Sequence, residues 1–121
     1  MPIVEIEIIL KPDEIIHSEM VEELANQLGE IFGSPKRTTW VKVYALERDN
    51  YAENGGALDG VFPIFISVLK SKLPATEEMQ KEVEKITGAV AQICGRPSGN
   101  VHVIYLPEGR ERVAFGGKLV S

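Results

Sequence analysis

Little in this sequence suits disulfide bonding, membrane insertion or nucleic-acid binding. The chain of 121 residues has one cysteine, Cys94, so it can form neither an internal disulfide nor a multi-cysteine metal cluster, and we expect Cys94 to be buried in a helix. Lys and Arg number 13 against 18 Asp and Glu, and this acidic balance argues against a nucleic-acid-binding surface. No apolar run approaches the length of a bilayer, and Glu5 and Glu7 stand where a signal peptide would be apolar. We therefore expect a cytoplasmic protein with no membrane or nucleic-acid partner, folded as a single domain over residues 1–121.

The common catalytic and cofactor motifs are also missing. The sequence contains no Ser-His-Asp order typical of a hydrolase, no zinc-ligand spacing and no phosphate-binding loop, because its glycine pairs lack the following Lys-Ser and helix. We expect neither a metal nor an organic cofactor.

What the sequence does contain is an internal repeat. Residues of the strand-like stretches recur at one spacing, and residues of the helical stretches recur at a spacing longer by one residue. Two copies of this length are too few and too long for a solenoid, so they indicate duplication of one supersecondary unit, over residues 2–60 and 63–121. The matching residues are Pro2 and Pro63, Tyr44 and Tyr105, Leu24 and Ile86, Gly33 and Gly95, and Gly55-Gly56 and Gly116-Gly117.

Each copy has the pattern strand, helix, strand. The stretch VEIEII alternates apolar and acidic residues, as a half-buried strand does. Apolar residues at helical spacing then predict helices over 13–32 and 76–94, each stopped by a glycine. Stretches rich in β-branched and aromatic residues predict further strands over 38–46, 63–71 and 100–106.

This pattern predicts an α+β fold. A crossover through a helix makes the two strands of each unit parallel and right-handed, and two units would give a four-stranded mixed sheet with both helices on one face. The opposite face, with Trp40, Phe65 and Leu69, would have no cover from the chain itself. We therefore expect the protein to form an oligomer.

Pro2 is a candidate catalytic residue. Proline lacks an amide donor, so the first residue of a strand is one of the few sheet positions that tolerates it, and this explains Pro63 fully. At Pro2 a second interpretation is open, because methionine before proline is normally removed and leaves a free secondary amine. An N-terminal amine has a pKa near 8, which burial or a nearby cation lowers further, so it can act as a general base at neutral pH.

Several features together resemble one family. They are Pro-Ile before an alternating strand, a helix that ends before Gly and Pro, strands such as WVKVY and VHVIY, and a Gly-Gly pair followed by a leucine. The chain is similar in this to the tautomerase superfamily, in particular to the 4-oxalocrotonate tautomerase group, and resembles a fused member with two units in tandem. The resemblance implies an isomerase in which Pro2 moves a proton between the keto and enol forms of a small α-keto or enol carboxylate. It also implies a ring of six units, which three copies of this chain would form as a homotrimer.

The resemblance further implies cations that hold the substrate carboxylate and an apolar wall. The segment LKSKL offers Lys70 and Lys72 on one face while the strand lasts, in place of the arginines usual in the family. The alternative is that both lysines are solvated. The remaining candidates for the substrate-binding site are Arg112, Phe115, Trp40 and His102, with Trp40 also a candidate core residue and His102 a candidate surface residue.

Two other functions remain open. One is a lyase of the same fold, acting as a decarboxylase or, less in keeping with Ala114 and Phe115 where the family's hydratases carry an acid, as a dehalogenase or hydratase. The other is a non-catalytic oligomer that binds a small ligand, since two β-α-β units also describe ferredoxin-like regulatory modules.

Overall fold

The computed structural model describes residues 1–121. The main sheet consists of β1 (Ile3–Ile9), β2 (Trp40–Leu46), β3 (Ile64–Leu69) and β4 (Val101–Tyr105). Helix α1 (Ser18–Phe32) follows β1 and helix α2 (Thr76–Cys94) follows β3, and a short hairpin of β5 (Ala114–Phe115) and β6 (Lys118–Leu119) ends the chain.

The sheet has the predicted mixed topology. Its order is β2-β1-β3-β4, with β1 parallel to β2, β3 parallel to β4, and the two central strands antiparallel. Each repeat therefore forms one β-α-β unit, and the units meet along β1 and β3, where Ile6 lies opposite Ile66. Both predicted units and their arrangement in one sheet are confirmed.

The core lies between the sheet and the two helices. Alternate residues of the central strands point into it, including Val4, Ile6, Ile64 and Ile66, all of which are fully buried. From the helices, the fully buried residues Leu24, Leu28, Ile86 and Val90 complete the cluster. Cys94 is buried at the end of α2, as predicted, and burial raises the pKa of its thiol to about 11.

The opposite face of the sheet is open. Trp40, Tyr44 and Ile104 point away from the helices and are 50%, 48% and 51% exposed. Acidic residues Glu5 and Glu7 share this face, where Glu5 forms an ion pair of 2.9 Å with Lys42. We call this surface, made by the outward residues of β1 to β4, the free face.

Both helices end where the sequence predicted, but one of them begins later than predicted. Gly33 and Gly95 take left-handed backbone angles, with φ of 63° and 65°, directly after the helices, as the glycine stops predicted. Helix α1, however, begins at Ser18, whereas the sequence predicted a start at residue 13. Asp13 has a positive φ of 61°, so the backbone turns there before the helix can begin. The strands are shorter than predicted by one to two residues at several ends, and β3 stops at Leu69 before both Lys70 and Lys72.

The repeat is less regular in the strands than the sequence match implies. Pro2-Ile3 matches Pro63-Ile64 in sequence, yet Ile3 lies on the free face while Ile64 is buried under the helices. Successive strand residues face opposite sides of the sheet. The structural equivalent of a residue in β1 therefore lies one residue later in the second repeat than the sequence match suggests. By the structural match, Trp40 of β2 is the equivalent of His102 of β4.

No helix in the structure has both the length and the apolar composition required to cross a membrane.

Candidate active site

Pro2 lies at the edge where β1 begins and β3 ends. It is buried, and its carbonyl oxygen accepts a hydrogen bond of 3.1 Å from the backbone N–H of Trp40, so it extends the pairing of β1 with β2. The antiparallel pairing of Ile3 with Leu69, continued by one residue, places Pro2 opposite Lys70. Pro2 therefore lies on the helix side of the sheet, in line with Val4 and next to the end of β3.

Met1 packs against the segment that follows β4. A Cβ atom on Gly109 would lie 2.5 Å from the Cε of Met1, 3.2 Å from Val113 Cγ2 and 3.3 Å from Leu69 Cδ1. A larger residue at position 109 would therefore require the flexible end of the Met1 side chain to move. Removal of Met1 would both free the Pro2 nitrogen and open space beside Gly109.

A cleft of about 390 Å³ adjoins the same edge. Its wall is mainly apolar, and the one charged side chain with a free end is that of Arg112, which is exposed and donates from Nη1 to the backbone oxygen of Glu108 at 3.1 Å. The carboxylate of Glu108 is engaged elsewhere, because it accepts the backbone N–H of Leu73 at 2.8 Å and lies 3.5 Å from Arg110. The lining residues are Leu69, Leu106, Pro107, Glu108, Gly109, Arg112 and Val113.

The two predicted lysines differ in their surroundings. The ammonium group of Lys70 donates to both carboxylate oxygens of Glu82 on α2, at 2.9 and 3.2 Å, and lies 5.1 Å from the centre of the Phe32 ring. Lys72 is exposed in the bend after β3 and makes no side-chain hydrogen bond. Because β3 ends before both residues, they do not share a strand face as predicted, and only Lys72 has an unengaged ammonium.

Tyr105 completes the cluster around Glu82. Its hydroxyl donates to Glu82 Oε1 at 2.6 Å, and burial followed by this hydrogen bond raises the pKa of the phenol above its ordinary value. The phenol therefore stays protonated and remains a donor at all physiological pH values.

Trp40 and Phe115 pack together at the Pro2 end of the free face. Their ring centres are 5.2 Å apart with the planes at 86°, an edge-to-face contact, and Trp40 Nε1 donates to the backbone oxygen of Arg37 at 2.8 Å. The β5–β6 hairpin is thereby held over the start of β2, so both residues lie near Pro2.

His102 lies away from this cluster. It is paired with Phe65 on β3, with ring centres 5.4 Å apart, and Phe65 in turn is paired with Glu7 towards the far end of β1. Within one chain the structure thus brings Pro2, Lys70, Arg112, Trp40 and Phe115 to one end of the sheet and leaves His102 towards the other.

Sequence reasoning missed Glu82, Tyr105 and Gly109. Glu82 is one of several glutamates on α2, and nothing in its spacing distinguishes it from its solvated neighbours. The only available sign was at Tyr105, a hydroxyl at the inward position of a strand, which needs a buried partner.

Comparison with known proteins identifies the fold. No protein-family model and no curated protein matches the sequence. Among solved structures, a fused 4-OT that forms a symmetric trimer has a TM-score of 0.78 and 12% identity, covering 98% of this chain and 94% of its own. The macrophage migration inhibitory factor of Trichinella spiralis has a TM-score of 0.76 and 12% identity, covering 97% of this chain and 98% of its own. The FG41 malonate semialdehyde decarboxylase, inhibited by 3-bromopropiolate, has a TM-score of 0.70 and 17% identity, covering 94% of this chain and 88% of its own.

These similar structures are members of the tautomerase superfamily. The chain therefore has the tautomerase fold, with two β-α-β units fused in one polypeptide, as the sequence predicted.

Proposed function

We propose that this protein is a tautomerase that moves a proton between the keto and enol forms of a small α-keto or enol carboxylate. Pro2, freed by removal of Met1, acts as the general base and then as the general acid. The observation that carries the proposal is the position of Pro2. It is buried directly before the first residue of β1, at the edge of the sheet that an apolar cleft with Arg112 adjoins. The likeness to fused 4-OT supports it.

The residues around Pro2 suit this chemistry. An N-terminal amine with a pKa near 8 is mostly protonated at pH 7, so a working base here needs a lowered pKa. Apolar surroundings lower the pKa of an amine by disfavouring its charged form, and at this edge Leu69 and Val113 lie beside Gly109. The amine takes a proton from the substrate, holds it as an ammonium, and returns it at another atom of the same conjugated system. No oxidant, metal or water is consumed.

The substrate carboxylate needs a cation that is not already paired. Arg112, which lines the cleft, and Lys72, in the bend after β3, are the candidates among the predicted cations, because both are exposed and neither is in an ion pair. Trp40 and Phe115 would provide the aromatic wall. Two cations that differ in geometry fit a monocarboxylate better than a dicarboxylate, since only arginine offers a bidentate fork.

The active form is proposed to be a homotrimer. The fused 4-OT of similar fold is a trimer, and the free face here exposes Trp40, Tyr44 and Ile104, a surface that a monomer would leave in water. In such an assembly His102, remote from Pro2 within its own chain, lies on a face that would contact other copies.

The experiment is the ketonisation of phenylenolpyruvate by protein whose intact mass shows that Met1 is absent. Turnover well above the solution rate is expected, and Pro2→Ala should lower kcat/KM by about 100-fold or more. The matched control is Pro63→Ala, which changes the other strand-leading proline and should leave the rate unchanged once folding is checked by circular dichroism. Protein that retains Met1 should be inactive, because the Pro2 nitrogen is then an amide. Full activity of Pro2→Ala would refute the proposed mechanism.

A decarboxylase is the second candidate, favoured by the likeness to malonate semialdehyde decarboxylase. In that case malonate semialdehyde would lose carbon dioxide at a rate that depends on Pro2, and enol ketonisation would be slow. Turnover of 3-chloroacrylate would instead indicate water addition. No turnover of any of these substrates, together with a dimer mass in solution, would favour a ligand-binding module.

A further inference from the structure

We propose that Glu82 is a positioning residue for the Pro2 site. Its carboxylate holds the Lys70 ammonium on the helix side of the sheet, opposite Pro2, and thereby leaves binding of the substrate carboxylate to Lys72 and Arg112. This inference rests on the proposed function, in which Pro2 is the base.

The contacts of Lys70 hold its ammonium group in one position. Both oxygens of Glu82 accept from its ammonium, at 2.9 and 3.2 Å, and the side chains of the pair are only 20% and 14% exposed. The ring of Phe32 covers the ammonium from the end of α1, 5.1 Å away, which adds a cation–π contact. A partly buried pair of this geometry keeps its shape far better than a surface ion pair.

Glu82 is itself held from a second side. The hydroxyl of Tyr105, on β4, donates to Oε1 at 2.6 Å, so the carboxylate is bound by an element that moves with the sheet and is not free to follow Lys70 outward. Three elements, β3, α2 and β4, therefore fix one ammonium position.

That position faces the start of β1. Continuing the pairing of Ile3 with Leu69 sets Pro2 opposite Lys70, and both lie on the side of the sheet that the helices cover. Directly paired residues of neighbouring strands have Cβ atoms about 5 Å apart. The register thus sets Pro2 beside the residue that carries the cation of this pair, and we infer that Lys70 and Glu82 act on the Pro2 amine with opposite sign.

The other charged groups at this end belong to neighbouring segments. Glu108 is engaged by Leu73 and Arg110, so its charge is already partnered. The remaining charged groups at this end are exposed to solvent: Glu30 at the end of α1, Lys36 and Arg37 ahead of β2, Lys72 after β3, Glu77, Glu78 and Lys81 at the start of α2, and Glu111, Arg112 and Lys118 after β4. Water screens these exposed charges, whereas the Lys70–Glu82 pair is partly shielded from it.

Glu82→Gln and Lys70→Gln should therefore act in opposite directions. Loss of the Glu82 charge leaves Lys70 as an uncompensated cation, which disfavours the protonated amine and should lower the pKa of Pro2 by about one unit. Loss of the Lys70 charge leaves the carboxylate uncompensated, which favours the protonated amine and should raise that pKa by a similar amount. Glutamine at position 82 can still accept from Tyr105, so the fold should be kept.

The matched control is Glu84→Gln. Glu84 lies on the same helix but is exposed, and its only side-chain hydrogen bond is from Gln80 at 3.1 Å. This variant changes the net charge of the protein by the same amount, yet the Pro2 pKa should not move.

Two readouts separate this inference from the proposed function. The first is an NMR titration of ¹⁵N-proline-labelled protein lacking Met1, which reports the Pro2 amine without any need for activity. The second is the pH profile of kcat/KM for phenylenolpyruvate, whose acid limb should move to lower pH in Glu82→Gln and to higher pH in Lys70→Gln. In Glu82→Gln the freed Lys70 should also lower KM for a dicarboxylate analogue by about tenfold, with little change in kcat.

Opposite shifts of the Pro2 titration in the two variants, absent from Glu84→Gln, support the inference even if no protein shows turnover, a result that would refute only the tautomerase proposal. Unchanged titrations in both variants overturn it, whether or not the wild type is active. If Glu82→Gln does not fold, the upward shift in Lys70→Gln alone carries the test.

Discussion

Arg96 is the most completely engaged side chain of the protein. It follows the left-handed Gly95, and only 1% of its side chain is exposed. Its guanidinium donates to both oxygens of Glu14 and to the backbone oxygens of Ile9, Phe62 and Cys94. Every donor direction of the group is used, so its burial leaves no unsatisfied hydrogen bond.

Glu14 is a carboxylate whose ionised form is favoured by folding. Burial raises its pKa, but the hydrogen bonds from Arg96 and from the backbone N–H of Lys11, together with the charges of these residues, lower it further than burial raises it. The folded pKa is therefore depressed. Such a group contributes stability above its unfolded pKa of about 4.3, and this contribution is lost as pH falls through the folded pKa.

Glu14→Gln should lower the free energy of unfolding at pH 7 by about 3 kcal/mol, because it leaves the buried guanidinium without its counter-charge. It should also flatten the loss of stability below about pH 4.3, since the titrating group is gone. Urea denaturation from pH 3 to pH 7 measures both effects. Glu19→Gln, an exposed change in the first turn of α1, is the control and should reproduce the wild-type curve.

At the residue scale, the sequence indicated the start of the site better than its surroundings. Pro2 could be singled out because its chemistry depends on chain position, whereas Trp40 and Phe115 were implied only by the resemblance to the tautomerase superfamily. The engagement of Lys70 could not be predicted, since its partner Glu82 lies on another element and looks like any solvated helix residue. For the same reason nothing in the sequence marked Arg96 as buried.

At the scale of elements, the two central strands carry the core. Ile6 and Ile66 lie directly opposite each other, both fully buried, where the two repeats meet. A cavity at this point would weaken both units at once, because the buried side chains of both strands and both helices form one cluster.

Ile66→Ala should lower the free energy of unfolding by about 2–5 kcal/mol through lost burial and the cavity left behind. Ile15→Ala, at a side chain that is 68% exposed, is the matched control and should change stability by less than about 0.5 kcal/mol. Both are measured by chemical denaturation at one fixed protein concentration, because an oligomer's stability depends on concentration. Equal losses in the two variants would contradict this account of the core.

Element types could be predicted well, and element boundaries less well, for a physical reason. Periodicity reports which face of a segment is buried, and this identified both helices and all four main strands. Ahead of the late start of α1, the backbone turns at Asp13, and Glu14 then binds Arg96, which follows the helix of the other repeat. Such a contact spans most of the chain and leaves no local pattern.

At the scale of the whole molecule, the free face is the surface on which the proposed assembly depends. Tyr44 and Ile104 lie on it about half exposed, while Phe65 is partly covered by Tyr51, whose ring centre is 6.0 Å from its own. Burying apolar surface lowers the free energy by about 25 cal/mol per Å² removed from water, and this favours association of copies.

Ile104→Glu should convert the proposed trimer to monomer at micromolar concentration, because burying an unpaired carboxylate costs several kcal/mol per ion. Sedimentation or native mass spectrometry measures the change. Ile15→Glu introduces the same charge at an exposed site outside the free face and should leave the trimer intact. A wild type that is already monomeric would refute the proposed trimer. An Ile104→Glu variant that stays trimeric would show that another surface holds the copies together.

The ion pair between Arg96 and Glu14 also bears on how the two repeats depend on each other. Its cation comes from the second repeat, and its carboxylate comes from the first. In the alignment that matches Gly33 with Gly95, Ser34 of the first unit corresponds to Arg96, and Thr76 of the second unit corresponds to Glu14. A subunit built from either half alone would inherit one partner of the ion pair without the other. Each half of the chain therefore supplies a partner that the other half lacks at the matching position, and neither half alone could form this ion pair.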